Sequence, residues 1–368
     1  MFPKLQFVYQ NKHAISTNVN YEKGVNIMKI GVGTTGMCNL KCPHCYSRKF
    51  DGYFIGINDA KRILDLTDVE SVNFGTGENI LNPDFRAIIR LFHENNVKMS
   101  LTTNGYSVSQ LEDEYLLMFN DIDFSLEFPD KERQDAFRGS GSWDSVINGL
   151  TKCKSLGIDT SIACAMMNCN AESIVDFRTL MNDFKSSLRI NVIKHGEITH
   201  EHEKVYTLNY DTFWNTFAHL FNNFVLISCS EPILCVALGH DPEIKGSPCG
   251  QHAMRIQPDG SILPCVYWPN NAGSIRDTHF SPLEVMDSSE FKKVSTIPSF
   301  CSSCIYVDIC RGGCAARRML TGSIDSPDNF CPIVYGLDIP KLTATYSKKS
   351  FDLVHSTYLC TIIFGVEE

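Results

Sequence analysis

From residue 27 to about 225, short apolar runs alternate with stretches whose apolar residues recur every three or four positions. The runs read as buried strands and the 3.6-residue period as amphipathic helices. The predicted strands are IMKIGV (27–32), VESVNF (69–74), VKMSLTT (97–103), IDFSLEF (122–128), IDTSIACAM (158–166) and LRINVI (188–193). A first helix is predicted near 59–66. A second starts at Pro83 and sets Phe85, Ile88, Ile89 and Phe92 on one face. A third follows Asn104-Gly105, with Ser109 and Glu112 in capping-box spacing. The fourth carries Trp143, Val146, Ile147, Leu150 and Cys153 and stops at Gly157. Ile174, Phe177 and Met181 trace the fifth, and Phe213, Phe217, Leu220 and Phe221 the sixth.

Six strand–helix units in succession imply a parallel sheet with helices outside it. Six are too few for a closed eight-fold barrel, so the expected fold is α/β, a partial (β/α)6 TIM-like barrel. Chemistry in such folds sits at the carboxyl ends of the strands. After about residue 235 the alternation stops, and Gly, Pro, Asn, Ser and Cys dominate. So irregular a segment needs a staple other than an apolar core. The expected organisation is an extension at 1–26, the barrel at 27–234, a small Cys-rich domain at 235–345 and a tail at 346–368. The end of that tail, LVHSTYLCTIIFGVEE, is apolar enough to dock on the body.

Of the 368 residues, 43% are apolar and 20% charged, which excludes a disordered chain. The formal charge of −9 argues against a nucleic-acid or anionic-lipid partner. No apolar run approaches the roughly 20 residues of a membrane span. The opening MFPKLQFVYQNKH lacks a signal-peptide core. The expectation is a cytoplasmic protein.

Sixteen cysteines stand out against that background. In a long chain without an export signal, clustered cysteines point to metal rather than disulfides. Cys38, Cys42 and Cys45 form one group, in TTGMCNLKCPHCYSR. Cys249, Cys265, Cys301, Cys304, Cys310, Cys314 and Cys331 form a second. Of the other six, Cys153, Cys164, Cys169, Cys229, Cys235 and Cys360, most read as small buried hydrophobes. Three thiolates from one loop suit a zinc site closed by a distant ligand. They equally suit a [4Fe–4S] cube with one iron left open.

The first group, on the loop after the first strand, resembles the CxxxCx(aromatic)C loop of the radical S-adenosylmethionine (SAM) superfamily, with His44 at the aromatic position. The resemblance implies that Cys38, Cys42 and Cys45 hold a catalytic [4Fe–4S] cluster that cleaves SAM to a 5′-deoxyadenosyl radical. Gly75-Thr76-Gly77-Glu78-Asn79 resembles the family's GGEP-like turn, which contacts the methionine amino group. Thr76 stands for its first glycine and Asn79 for its proline. Thr103-Asn104, Ser125, Arg138 and Asn168 are implied by the same resemblance to line the cofactor pocket.

The second group is similar to the SPASM domain that follows many such barrels, and every cysteine of that pattern is present. A pair of zinc ribbons is the alternative. The resemblance implies auxiliary cluster I on Cys249, Cys265 and Cys314, and auxiliary cluster II on Cys301, Cys304, Cys310 and Cys331, for three [4Fe–4S] clusters in all. A fourth ligand for cluster I is left open between Cys235, Cys229 and no protein ligand. Val266 follows Cys265 where sulfatase-maturing relatives place a catalytic Asp, which disfavours that subfamily. The implied function is oxidative modification of a ribosomally made peptide, served by an external low-potential donor such as flavodoxin or ferredoxin. With 26 residues before the first strand, either a separate leader-peptide-binding protein or a leaderless substrate is expected. The alternatives are a SAM-dependent enzyme acting on a small molecule such as a porphyrin side chain, one that matures another enzyme, and a non-catalytic iron–sulfur electron carrier.

Overall fold

The structure is a computed structural model that describes residues 27–66, 68–194, 203–242, 245–251, 253–278, 281–348, 353–354 and 359–367. The expected extension at 1–26 lies outside the described residues. Six parallel strands appear where apolar runs predict them: β1 (Ile27–Val32), β2 (Asp68–Phe74), β3 (Lys98–Thr103), β4 (Asp121–Ser125), β5 (Asp159–Met166) and β6 (Ser187–Val192). Each pairs with the next in parallel register. Together with the helices between them they form the partial barrel.

The strands are buried on both faces because helices cover the outside. Phe85, Ile88, Ile89 and Phe92, all fully buried, make the inner stripe of the helix Phe85–Glu94. The helix Ser142–Leu156 ends at Gly157, whose φ of 71° is the left-handed cap that the sequence predicts. Two local expectations change. β4 ends at Ser125 rather than running to 128, because Gln134 Oε1 accepts the N–H groups of Glu127 and Phe128 and turns the chain away. No capping box forms. Ser109 lies inside the helix Tyr106–Gln110 and donates to the Tyr106 carbonyl, while Glu112 is held by Arg86.

The sheet extends beyond the six units. β7 (Val225–Cys229) follows the helix Tyr210–Asn223. Short β8 (Ala253–Ile256) lies parallel to β1 on its free edge, and β9 (Ile262–Leu263) pairs with β8. β10 (Thr345–Tyr346) lies beside β7. β11 (Thr361–Gly365) inserts antiparallel between β6 and β7, with every residue buried. The end of the chain is therefore part of the sheet.

Candidate active site

The loop after β1 carries the first cysteine group. Cys42 is buried, Cys45 half-buried and Cys38 exposed. The Asn104 side chain, at the end of β3, reaches Cys38 Sγ at 3.7 Å and donates to Asn39 Oδ1 at 2.8 Å. Arg138 Nη1 points at Cys42 Sγ at 3.8 Å. Burial raises the Cys42 thiol pKa while Arg138 pulls it down. Cys45 Sγ lies 2.9 Å from Ser47 Oγ.

The turn after β2 packs directly under this loop. Glu78 N donates to Met37 O at 2.8 Å. Gly77 has φ 63°, and a Cβ there would overlap the Thr35 and Met37 carbonyl oxygens. Thr76, at the family's glycine position, has φ 88°, a region β-branched residues rarely occupy. Its hydroxyl is engaged by Arg255 and by Tyr46 at 3.0 Å, which helps hold the strained turn. Asn79 makes bonds that proline could not, donating to Thr102 O at 3.2 Å and accepting from Thr34 Oγ1 at 2.6 Å.

Glu78 is buried and its carboxylate faces inward. It accepts from Thr103 Oγ1, Asn104 N and both donors of Ser107. This carboxylate locks the β2 turn to the β3 end, so contacts to a ligand from this turn are left to its backbone. Gly75 O is already met by Arg255 at 2.7 Å.

At the end of β4, the half-buried Ser125 has a hydroxyl without a partner among the described residues. Arg138 grips Glu127 through two nitrogens, Nη2 to Oε1 at 2.7 Å and Nε to Oε2. His44 stacks on Phe137 at 5.0 Å and sets Nε2 3.5 Å from Glu127 Oε1. Burial alone would raise the Glu127 pKa, but Arg138 and His44 bring it down to about 2. Arg138, expected to line the cofactor pocket, has its fork filled by Glu127, and what remains is its reach to Cys42.

Asn168 does not join this group. It is exposed, and its Oδ1 accepts from Asn209 and Thr212 at the start of the helix Tyr210–Asn223. Asn170 is the buried one, donating to Glu127 O and Ala165 O, each at 3.0 Å.

Behind the turn lies a cavity of about 160 Å³ lined by Tyr46, Thr76, Asp123, Arg189, Arg255 and Tyr267 among others. Asp123 and Arg189 form a buried ion pair at 3.1 Å across β4 and β6. Sequence reasoning passed over them. The signal was a charge in the middle of an apolar strand, Ile122-Asp123-Phe124 and Leu188-Arg189-Ile190, where an unpaired charge is prohibitively costly.

The second cysteine group separates into two nests. Cys301, Cys304, Cys310 and Cys331 line one small cavity. Burial and the Cys331 and Cys304 thiols push Cys301 up to about 11. Cys249, Cys265 and Cys314 sit in a separate apolar cluster with Trp268 and Val294. Arg317 joins the nests: buried, it pairs with Asp328 at 2.6 Å and Glu231 at 2.7 Å, and Asp328 accepts from Cys314 N at 2.9 Å. Cys235 and Cys229 pair instead with each other, their sulfurs 3.8 Å apart.

Three thiols on one loop, braced by Asn104 and Arg138, fit the donor set of an iron–sulfur cube with one open iron. Among the described residues no group of three such side chains is set to hold a single metal ion. None of the described helices is long and apolar enough to cross a membrane.

Residues 32–181 match the Radical SAM superfamily. The chain is 27% identical over 323 residues to "Mycofactocin maturase MftC" of Mycobacterium tuberculosis, covering 81% of each. It is 24% identical over 322 residues to "AdoMet-dependent heme synthase" of Nitratidesulfovibrio vulgaris, covering 77% of this chain and 86% of that one. In fold it is similar to Streptococcus suis SuiB bound to its precursor peptide SuiA, with TM-score 0.60 at 20% identity over 82% of this chain and 75% of that one. The partial barrel and these matches agree: residues 32–181 match the radical SAM superfamily, and the chain is an enzyme related to peptide maturases.

Proposed function

We propose that this enzyme oxidatively modifies a ribosomally made peptide, using a SAM-bound cluster on Cys38, Cys42 and Cys45 and two auxiliary clusters in the Cys-rich segment. The observation that carries this reading is the cross-tying of the cysteine loop to the β2 turn and the β3 end, directly beside a polar cavity. When bound, the cluster and SAM supply a carbon radical that abstracts hydrogen.

The chain's own residues position that chemistry. Asn104 and Arg138 orient the thiols of Cys38 and Cys42. The backbone of residues 76–77 and the Ser125 hydroxyl are the groups left to meet SAM. Asp123, Arg189 and Arg255 give the cavity wall fixed charges that suit a polar substrate segment. The name of the mycofactocin relative supports a peptide substrate. The two cysteine nests suit a reaction in which the substrate radical must lose an electron. A flavodoxin or ferredoxin serves as reductant.

The test is anaerobic turnover with SAM and dithionite, with short peptides encoded beside the gene or with a porphyrin. A changed peptide mass, accompanied by 5′-deoxyadenosine, supports the reading. Stimulation by the porphyrin alone, as the haem synthase relative invites, overturns the peptide assignment.

A further inference from the structure

Cys360 immediately precedes β11, in the run Leu359-Cys360-Thr361-Ile362. The sequence alone reads it as one more buried apolar residue. Its location says otherwise. Cys360 lies in the same sealed apolar cluster as Cys249, Cys265 and Cys314, and all four are at most 3% exposed. Cys249 comes from the turn before β8, Cys265 from just after β9, and Cys314 from the start of the helix Ala315–Thr321. The four thiols pack into one cluster with Trp268, Val294, Ala315 and Ala316.

The backbone at Cys360 is fixed rather than accidental. β11 is clamped between β6 and β7. Ser230 donates from Oγ to Leu359 O at 2.5 Å and from its backbone N–H to Thr361 O at 2.9 Å. Ser247 Oγ, two residues before Cys249, lies 3.6 Å from Cys360 Sγ. Four thiols brought by four separate chain segments into one closed pocket form a complete four-cysteine donor set.

We propose that Cys360 is the fourth protein ligand of the auxiliary cluster held by Cys249, Cys265 and Cys314, so that this cluster is closed by four thiolates and has no iron open to substrate. The inference rests on the reading that this segment binds iron–sulfur clusters. Each thiol gives up one proton to solvent as its S–H bond is replaced by S–Fe. A second observation points the same way. Lys194 is buried with its ammonium group 4.9 Å over the Tyr267 ring. Tyr267 itself packs against the cysteine nest, and Lys194 Nζ also donates to Val192 O at 3.2 Å, so the ammonium is held in place. A cube held by four thiolates carries net negative charge, and a fixed ammonium offsets it. The ligation also ties the end of the chain to the Cys-rich segment, so the cluster and β11 hold one another in place.

The test compares the anaerobically reconstituted full chain with its Cys360→Ala, Cys360→Ser, Cys249→Ala and Cys235→Ala variants. The readouts are iron and sulfide content and the EPR spectrum of the reduced protein. Cys360→Ala and Cys249→Ala are each expected to lose about four irons, or to replace one cluster's EPR signal with a new one. Cys360→Ser keeps the side-chain size and an oxygen ligand, so it should fold, keep its iron and shift the g-values of that cluster alone. Cys235→Ala should match wild type. If both Cys360 variants match wild type while Cys249→Ala loses four irons, Cys360 is not a ligand. Loss of iron in Cys235→Ala and not in Cys360→Ala would transfer the role to Cys235. If Cys249→Ala also keeps all its iron, or the nest holds stoichiometric zinc, the underlying cluster reading fails with it.

Discussion

Tyr46, the residue after Cys45, meets Tyr267, two residues after Cys265, edge to face with ring centroids 5.8 Å apart. Two cysteine groups far apart in sequence are thus joined through two touching aromatic rings. Tyr46 also bonds Thr76 of the β2 turn, and Tyr267 lies under Lys194. Burial, opposed by Lys194, pushes the Tyr267 phenol up to about 12, so it stays protonated at neutral pH.

Tyr267→Ala should therefore uncouple the two halves. SAM cleavage should persist, because the Cys38 loop keeps its own braces. Product formed per 5′-deoxyadenosine should fall by about tenfold or more, since small misplacements in an active site carry losses on the order of 10²-fold. Tyr267→Phe keeps the ring contact and should stay near wild type. Quantifying product and deoxyadenosine in one assay decides it. An unchanged ratio in Tyr267→Ala would refute the coupling.

Gly77→Ala should damage the first cluster site. The new Cβ meets two backbone oxygens of the cysteine loop, and the left-handed φ adds strain. About four irons should be lost along with deoxyadenosine formation. Gly157→Ala also has a left-handed φ but faces open space. It should lower stability by about 1 kcal/mol and leave iron unchanged. Equal effects of the two changes would remove the steric argument.

Two buried carboxylates give stability opposite pH dependences. Glu127 has its pKa lowered to about 2, so its contribution is fully present above the unfolded value and is lost as pH falls from about 4.5 toward 2. Arg138→Ala would leave it buried and unpaired, at a loss of about 3–5 kcal/mol. Asp121 is pushed up to about 7 by burial and by Asp123. The folded state then binds the extra proton, so stability falls as pH rises from about 4 to 7. Asp121→Asn can still accept from Val354 N and should flatten that decline. Urea unfolding from pH 2 to 8 measures both, and an Asp121→Asn curve parallel to wild type would count against the assignment.

Much of the barrel was legible because each of the first six strands is a local apolar run followed by a helical stripe. β11 was not, since a short antiparallel strand at the chain's end declares no partner until the gap between β6 and β7 exists. The cysteine spacing singled out the Cys38–Cys45 loop and the two thiol nests of the later segment. It could not distinguish Cys360 from the filler thiols, because Leu, Cys and Ile look alike in an apolar run. Glu78 matched a motif, yet its side chain went to Thr103, Asn104 and Ser107. Arg138 likewise turned to Glu127, a pairing that depends on where β4 stops. Asp123 and Arg189 were visible as charges within apolar strands.

The central claim is that the loop of Cys38, Cys42 and Cys45 activates SAM. Its most direct test is release of 5′-deoxyadenosine and methionine by the reduced, reconstituted enzyme beside a variant with all three cysteines changed to Ala. Wild type should release both slowly without substrate. The triple variant should release neither while keeping about eight irons in its two remaining clusters. Deoxyadenosine formation that survives in the triple variant would contradict the account.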